Sequence, residues 1–159
     1  MLPNAALKPA YDKAVWMYVY RDFTNNVADT KADRVSLRLG VTSWPQLVLI
    51  DPATVNVIGS TGRTVDTFLR EVGRAATKVT PTESSAAADS IVAADARAAE
   101  LESKPGIQLA RRYISDSDIV VRYRALHVLA EKDSEFVAKH AVSLLQVPND
   151  TFRYEVCTV

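Results

Sequence analysis

The chain has 159 residues, 48% of them apolar, with 19 basic against 19 acidic residues, which is room for one ordinary domain or two small ones. That is the composition of a soluble globular protein, and the charge balance gives no electrostatic reason to bind nucleic acid or an anionic membrane. No apolar run approaches the roughly 20 residues of a membrane span, and MLPNAALKPAYDK lacks the basic stretch and apolar core of a signal peptide. A single cysteine, Cys157, excludes an internal disulfide framework and a Cys-rich metal site, and one thiol identifies no compartment.

In chain order, AVWMYVY (14–20) is aromatic, β-branched and largely apolar, and reads as a buried strand. Asp29 suits a helix N-cap, Ala32, Val35 and Leu39 follow at helical spacing, and Gly40 closes that helix. TSWPQLVLID (42–51) then gives a strand at Leu47–Ile50; Pro45, with no N–H for a ladder, belongs before it. Asp51 and Pro52 suit a type I turn, and VNVIG (55–59) returns as the hairpin partner. Thr64 caps a helix whose apolar face is Val65, Phe68, Leu69, Val72, Ala75 and Ala76.

The grammar changes near residue 80. TPTESSAAADS reads as a linker leading into a helix over IVAADARAAELES, and the rest is helical. Val121, Ala125, Val128 and Leu129 mark one buried stripe; Phe136, Val137, Ala141, Leu144 and Leu145 mark the next, closed by Pro148. Arg122–Tyr123 recurs as Arg153–Tyr154 at a distance of 31 residues, within the range of helical-repeat periods. The expected organisation is an α/β domain over 1–79, a linker and helix over 80–104, and helical repeats over 105–159.

LGVTSWPQLVLIDPATVNVIGSTGRTVDTFLREV (39–72) resembles the C-terminal part of a thioredoxin-like domain, where a short helix leads to a cis-proline, a β-hairpin, a glycine and a final helix. The resemblance implies a partial thioredoxin-like fold (strand, helix, β-hairpin, helix). Pro45 would be the cis-proline, and Ser43 and Trp44 would offer backbone to an extended peptide. Gly59 or Gly62 would be the glycine. The Cys-x-x-Cys of that family is not in the sequence, and thiol–disulfide exchange needs both a thiolate and a resolving thiol. The resemblance also implies that the chain starts inside the helix preceding AVWMYVY. The expectation is therefore a fragment, a rearranged sheet or a second chain completing it. DSDIVVRYRALHVLAEK is similar to HEAT or armadillo-like repeats, with Val121, Arg122, Ala125 and Leu129 in the places of that pattern. This implies that the arginine reaches carbonyls or acidic groups at the turn of the neighbouring repeat. Such arrays usually need about three units.

Among candidate sites, Trp44–Pro45 reads either as a peptide-docking edge or as a structural turn with a core tryptophan. Cys157 falls on the expected buried side of its helix and reads as a small buried hydrophobe. His140 lies on an apolar stripe and His127 on a solvated face, neither with accompanying metal ligands. GSTGRT lacks the lysine and spacing of a P-loop, and Thr64 as a cap explains it. Asp116 and Asp118 suit a helix N-terminus better than a catalytic pair. The expected function is a non-catalytic protein-binding or scaffolding module without cofactor or metal. Its partner would be a protein or peptide, bound by Arg122 and Arg124 or by the edge at Ser43, Trp44 and Pro45. The alternatives are a piece of a thiol–disulfide oxidoreductase whose Cys-x-x-Cys lies upstream of Met1, and a domain-swapped homodimer.

Overall fold

The structure, a computed structural model, describes residues 5–11, 13–19, 30–43, 45–79 and 86–159. The chain divides into two compact units, Met1–Ala32 with Ser43–Ala87 and Asp33–Thr42 with Ala88–Val159. The first is mixed α/β, the second helical. The chain thus leaves the first unit at Ala32, contributes a short piece to the second, and returns at Ser43.

In the α/β unit a 3-10 turn at Ala5–Leu7 runs into α1 (Lys8–Tyr11). β1 (Leu47–Ile50) pairs antiparallel with β2 (Val57–Thr61), followed by α3 (Val65–Ala76). Leu7, Ala10, Phe68 and Val72 are its buried core, with Leu47, Leu49, Val65 and Leu69 packed around them. Thr64 caps α3 as its spacing predicts, its hydroxyl accepting from the Thr67 N–H at 3.3 Å. Of the expected apolar face, Phe68, Val72 and Ala75 are buried, but Ala76 is exposed at the last turn.

The strand expected over 14–20 does not form in its described residues, 14–19. Residues 15–19 carry no regular structure, and Val15 and Tyr18 are 99% and 82% exposed. The one sheet among the described residues has two strands, and neither pairs with this segment. An apolar, β-branched run favours a strand only where a ladder receives its backbone groups. Trp16 docks, stacked on Phe68 at 5.6 Å and edge-on to Tyr11 at 5.0 Å.

The hairpin's second strand begins two residues later than expected because the turn is longer than type I. The Val55 N–H reaches the Asp51 carbonyl at 2.8 Å, and the Asp51 carboxylate accepts from the Ala53 N–H and the Thr54 hydroxyl. Val55 pays for this closure with φ +58°, a left-handed conformation costing a β-branched residue about 1–2 kcal/mol. Val55→Gly is therefore expected to stabilise the α/β unit by about 0.5–1 kcal/mol, after allowing for glycine's freer unfolded state. A lower urea midpoint for the variant would show that the Val55 side chain contributes more than the strain costs.

The helical unit contains the end of α2 (Thr30–Arg38), then α4 (Ala86–Ser103), α5 (Ile107–Tyr113), α6 (Ile119–Lys132), α7 (Ser134–Leu144) and α8 (Asp150–Thr158). Gly40 ends α2 as read from sequence, at φ +62°, with its N–H on the Leu37 carbonyl and the Val41 N–H on the Ser36 carbonyl. That is a Schellman closure, which needs the left-handed residue. Asp29 and residues 80–85 lie outside the described residues; α4 starts at Ala86, five residues before the expected helix.

The 31-residue echo extends well beyond one dipeptide. Ile114 and Leu145, 31 apart, are the C-caps of α5 and α7, while Asp118 and Asn149, also 31 apart, are the N-caps of α6 and α8. Val121 and Phe152 are both fully buried; Ala125 and Val156 are both buried. Counting back the same interval, Ala94 and Ala98 of α4 stand where Ala125 and Leu129 stand in α6, and all four are buried. Cys157 is a correction: it is exposed, because α8 turns Phe152 and Val156 inward and carries the next residue away from the core.

Candidate functional site

Of the loop edge, Ser43 and Pro45 are exposed, while Trp44, and with it the Trp44–Pro45 bond, lies outside the described residues. The Pro45 carbonyl accepts from Arg63 Nη2 at 3.1 Å, which ties the loop before β1 to the loop after β2. Gly62 is the more constrained of the two glycines: a Cβ there would sit 2.8 Å from Thr67 Oγ1, inside the α3 cap, whereas one at Gly59 would meet only Leu49 at 3.7 Å.

On the helical unit, Arg122 folds back on the turn preceding its own helix, Nε donating to the Asp116 carbonyl and Nη2 to the Ser115 carbonyl at 3.4 Å. Arg124 is drawn to α4, with Nε 2.9 Å from Glu102 Oε1. The two arginines therefore serve different surroundings, one closing a turn and the other joining a chain of ion pairs.

That chain runs through α2. Glu102 also receives Arg34 Nη2 at 3.0 and 3.1 Å, and Arg34 lies 3.7 Å from Asp95. Arg38 Nη2 donates to Asp95 at 2.7 Å, and its Nε to Asp118 at 2.8 Å. Asp118 meanwhile caps α6, accepting from the Val120 and Val121 N–H groups. Asn149 does the same double service one repeat later: its Oδ1 accepts from the Phe152 N–H at 2.9 Å and its Nδ2 donates to the Leu37 carbonyl at 3.0 Å. Two caps at equivalent repeat positions thus hold the C-terminal end of α2, and Leu37 is buried between these contacts.

Burial opposes the charge on Arg38, but its hydrogen bonds to Asp118 and Asp95 outweigh it and raise the pKa of the guanidinium. At Asp116 burial pushes upward, yet the Arg97 guanidinium, bonded through Nε and Nη2 at 2.8 and 3.0 Å, and the Asp118 N–H hold the carboxyl below its ordinary value. Asp116 and Asp118 thus work at a helix N-terminus, as the sequence indicates. Arg34, Arg38, Asp95, Glu102 and Asn149 were not legible as a group. The available signal was spacing alone, Arg34 and Arg38 one turn apart and Asp95 and Glu102 two turns apart.

Beside Arg124 an open recess of about 390 Å³ is bordered by Leu101, Glu102, Pro105, Arg124, His127 and Glu131. His127 is more enclosed than a solvated face implies: its ring lies 4.6 Å from that of Tyr123, and Nε2 is 3.1 Å from Glu155 Oε1 without hydrogen-bond geometry. His140 packs on Phe136 with ring centroids 4.0 Å apart, Nδ1 2.8 Å from the Phe136 carbonyl oxygen. Among the described residues no three His, Cys, Asp or Glu side chains are grouped to hold a metal ion, and no helix is long and apolar enough to cross a membrane. Compared with known proteins, the chain matches no family model, no curated protein and no solved structure.

Proposed function

We propose that this chain is a non-catalytic protein-binding or scaffolding module, a partial thioredoxin-like unit joined to HEAT-like helical repeats. The observation that carries the reading is the 31-residue recurrence of caps and buried positions through α6 and α8, with α4 in phase. Helices repeating at one period present equivalent residues on one face, which is the way stacked repeats build extended binding surfaces. Arg122 acts here as a positioning residue for the turn before α6. Arg124 and the recess beside it belong to the binding surface, and the loop of Ser43, Trp44 and Pro45 is the second candidate edge.

The test is partner capture by the immobilised full chain and by two variants, Arg124→Glu and Trp44→Ala, each checked by circular dichroism. Arg124→Glu sets a carboxylate against Glu102 and reverses the charge shown to a partner, so recovery of a bound protein should fall about tenfold. Equal recovery by both variants and the parent chain would rule out both surfaces.

A further inference from the structure

We propose that α7 and α8 form a self-association face, on which a second copy of this chain seats its own α7 and α8 about a twofold axis. The proposal rests on the repeat reading above and names one partner for it. The preceding pair, α5 and α6, shows what such a face meets within the chain. Arg111 of α5 reaches α7, its Nε donating to the Asp133 carboxylate at 2.8 Å and its guanidinium lying 5.0 Å from the centre of the Phe136 ring. His127 of α6, beside Tyr123, is 3.1 Å from Glu155 of α8. Leu126 is fully buried in the core cluster to which Val137, Leu144, Phe152 and Val156 of α7 and α8 belong. At the interval of the repeat, Arg111, Tyr123, Leu126 and His127 correspond to Val142, Tyr154, Cys157 and Thr158. All four are exposed, Val142 at 78% and Tyr154 at 70%. Positions that α5 and α6 set against the next pair, or bury, thus face solvent on α7 and α8.

The side chains on this face select its occupant. Inside the chain Arg111 meets Asp133 and His127 meets Glu155, so the following pair brings carboxylates to the contact. Val142 and Thr158 offer those carboxylates no counter-charge, and an acidic group covered there would be desolvated without a partner. A head-to-tail second copy would have to offer α4, whose Asp95 and Glu102 are acidic and already hold Arg34, Arg38 and Arg124. Among the described residues of the helical unit the large exposed apolar side chains are Val92, Val142, Tyr154 and Val159. All but Val92 belong to α7 or the end of α8. The surface that matches this face in chemistry is therefore the same face of another copy. Such a contact closes as a dimer, because a twofold axis sets each patch against itself.

The test is the mass of the full chain by light scattering, in reductant so that no disulfide through Cys157 accounts for it. The parent chain should pass from one to two chains as its concentration rises towards about 100 μM. Val142→Glu and Tyr154→Glu should each raise the dissociation constant at least about tenfold, since the twofold axis places like charges together. Both positions are exposed, so circular dichroism should match that of the parent. As a second readout, Cys157 of the parent should react with a thiol reagent more slowly at high than at low protein concentration, and Cys157 of the double variant equally fast at both. A parent chain monomeric throughout overturns the proposal. So does a dimer that survives in the double variant, because another surface then holds it. Partner capture and its loss in Arg124→Glu are measured separately, so the protein-binding reading stands or falls independently of the dimer.

Discussion

Replacing Phe68 with alanine should unfold the α/β unit while the helical unit remains folded. Phe68 is 1% exposed and is the largest of the four buried residues that pack together as that unit's core cluster. It also carries the stacked ring of Trp16. A buried Phe→Ala change costs about 3–5 kcal/mol, while whole domains have only about 5–15 kcal/mol and small cores lie near the bottom of that range. The loss is thus comparable with everything the unit has. Trp16 belongs to the α/β unit and stacks on Phe68, whereas most of the helix among the described residues is in α4–α8. Tryptophan emission should therefore report an unfolded environment without denaturant, while far-UV circular dichroism keeps most of its helical signal until the second unit melts. Phe68→Leu, which keeps most of the volume, should leave both transitions visible. Simultaneous loss of emission and helix in Phe68→Ala would show that the units are not independent.

The helical half was the more legible because its signals are local. A cap such as Asp118, a stripe such as Val121, Ala125, Val128 and Leu129, and a stop such as Gly40 each act within a turn or two of chain. The AVWMYVY segment misled for the opposite reason. Strand formation depends on a partner from elsewhere, which no run of apolar letters encodes. The hairpin's second strand starts late because the side chain of Asp51 holds a longer turn, an effect of hydrogen bonding rather than of hydrophobic pattern. The ion-pair chain was invisible for a third reason. Arg38 and Asp118 are 80 residues apart, and their meeting follows from α2 belonging to the helical unit, not from spacing.

Asp118→Ala should cost the helical unit about 2–3 kcal/mol, more than either of its roles alone predicts. Loss of the α6 N-cap accounts for about 1 kcal/mol, since the Val120 and Val121 N–H groups lose their acceptor. The remainder comes from Arg38, whose side chain is only 13% exposed and would keep Asp95 as its carboxylate partner. A hydrogen bond to a charged group contributes about 1.5–3 kcal/mol, discounted here for the half-exposed surroundings of Asp95. Asp118→Asn separates the two effects, because asparagine caps a helix as well as aspartate but carries no charge. It should therefore cost about half as much as Asp118→Ala. In a double-mutant cycle with Arg38→Met, Asp118→Asn should lose most of its effect, as residues in one network do not act additively. If Asp118→Asn proves as damaging as Asp118→Ala, the charge is decisive and the cap minor. If Arg38→Met leaves the cost of Asp118→Asn unchanged, the ion pair between Arg38 and Asp118 contributes nothing to stability.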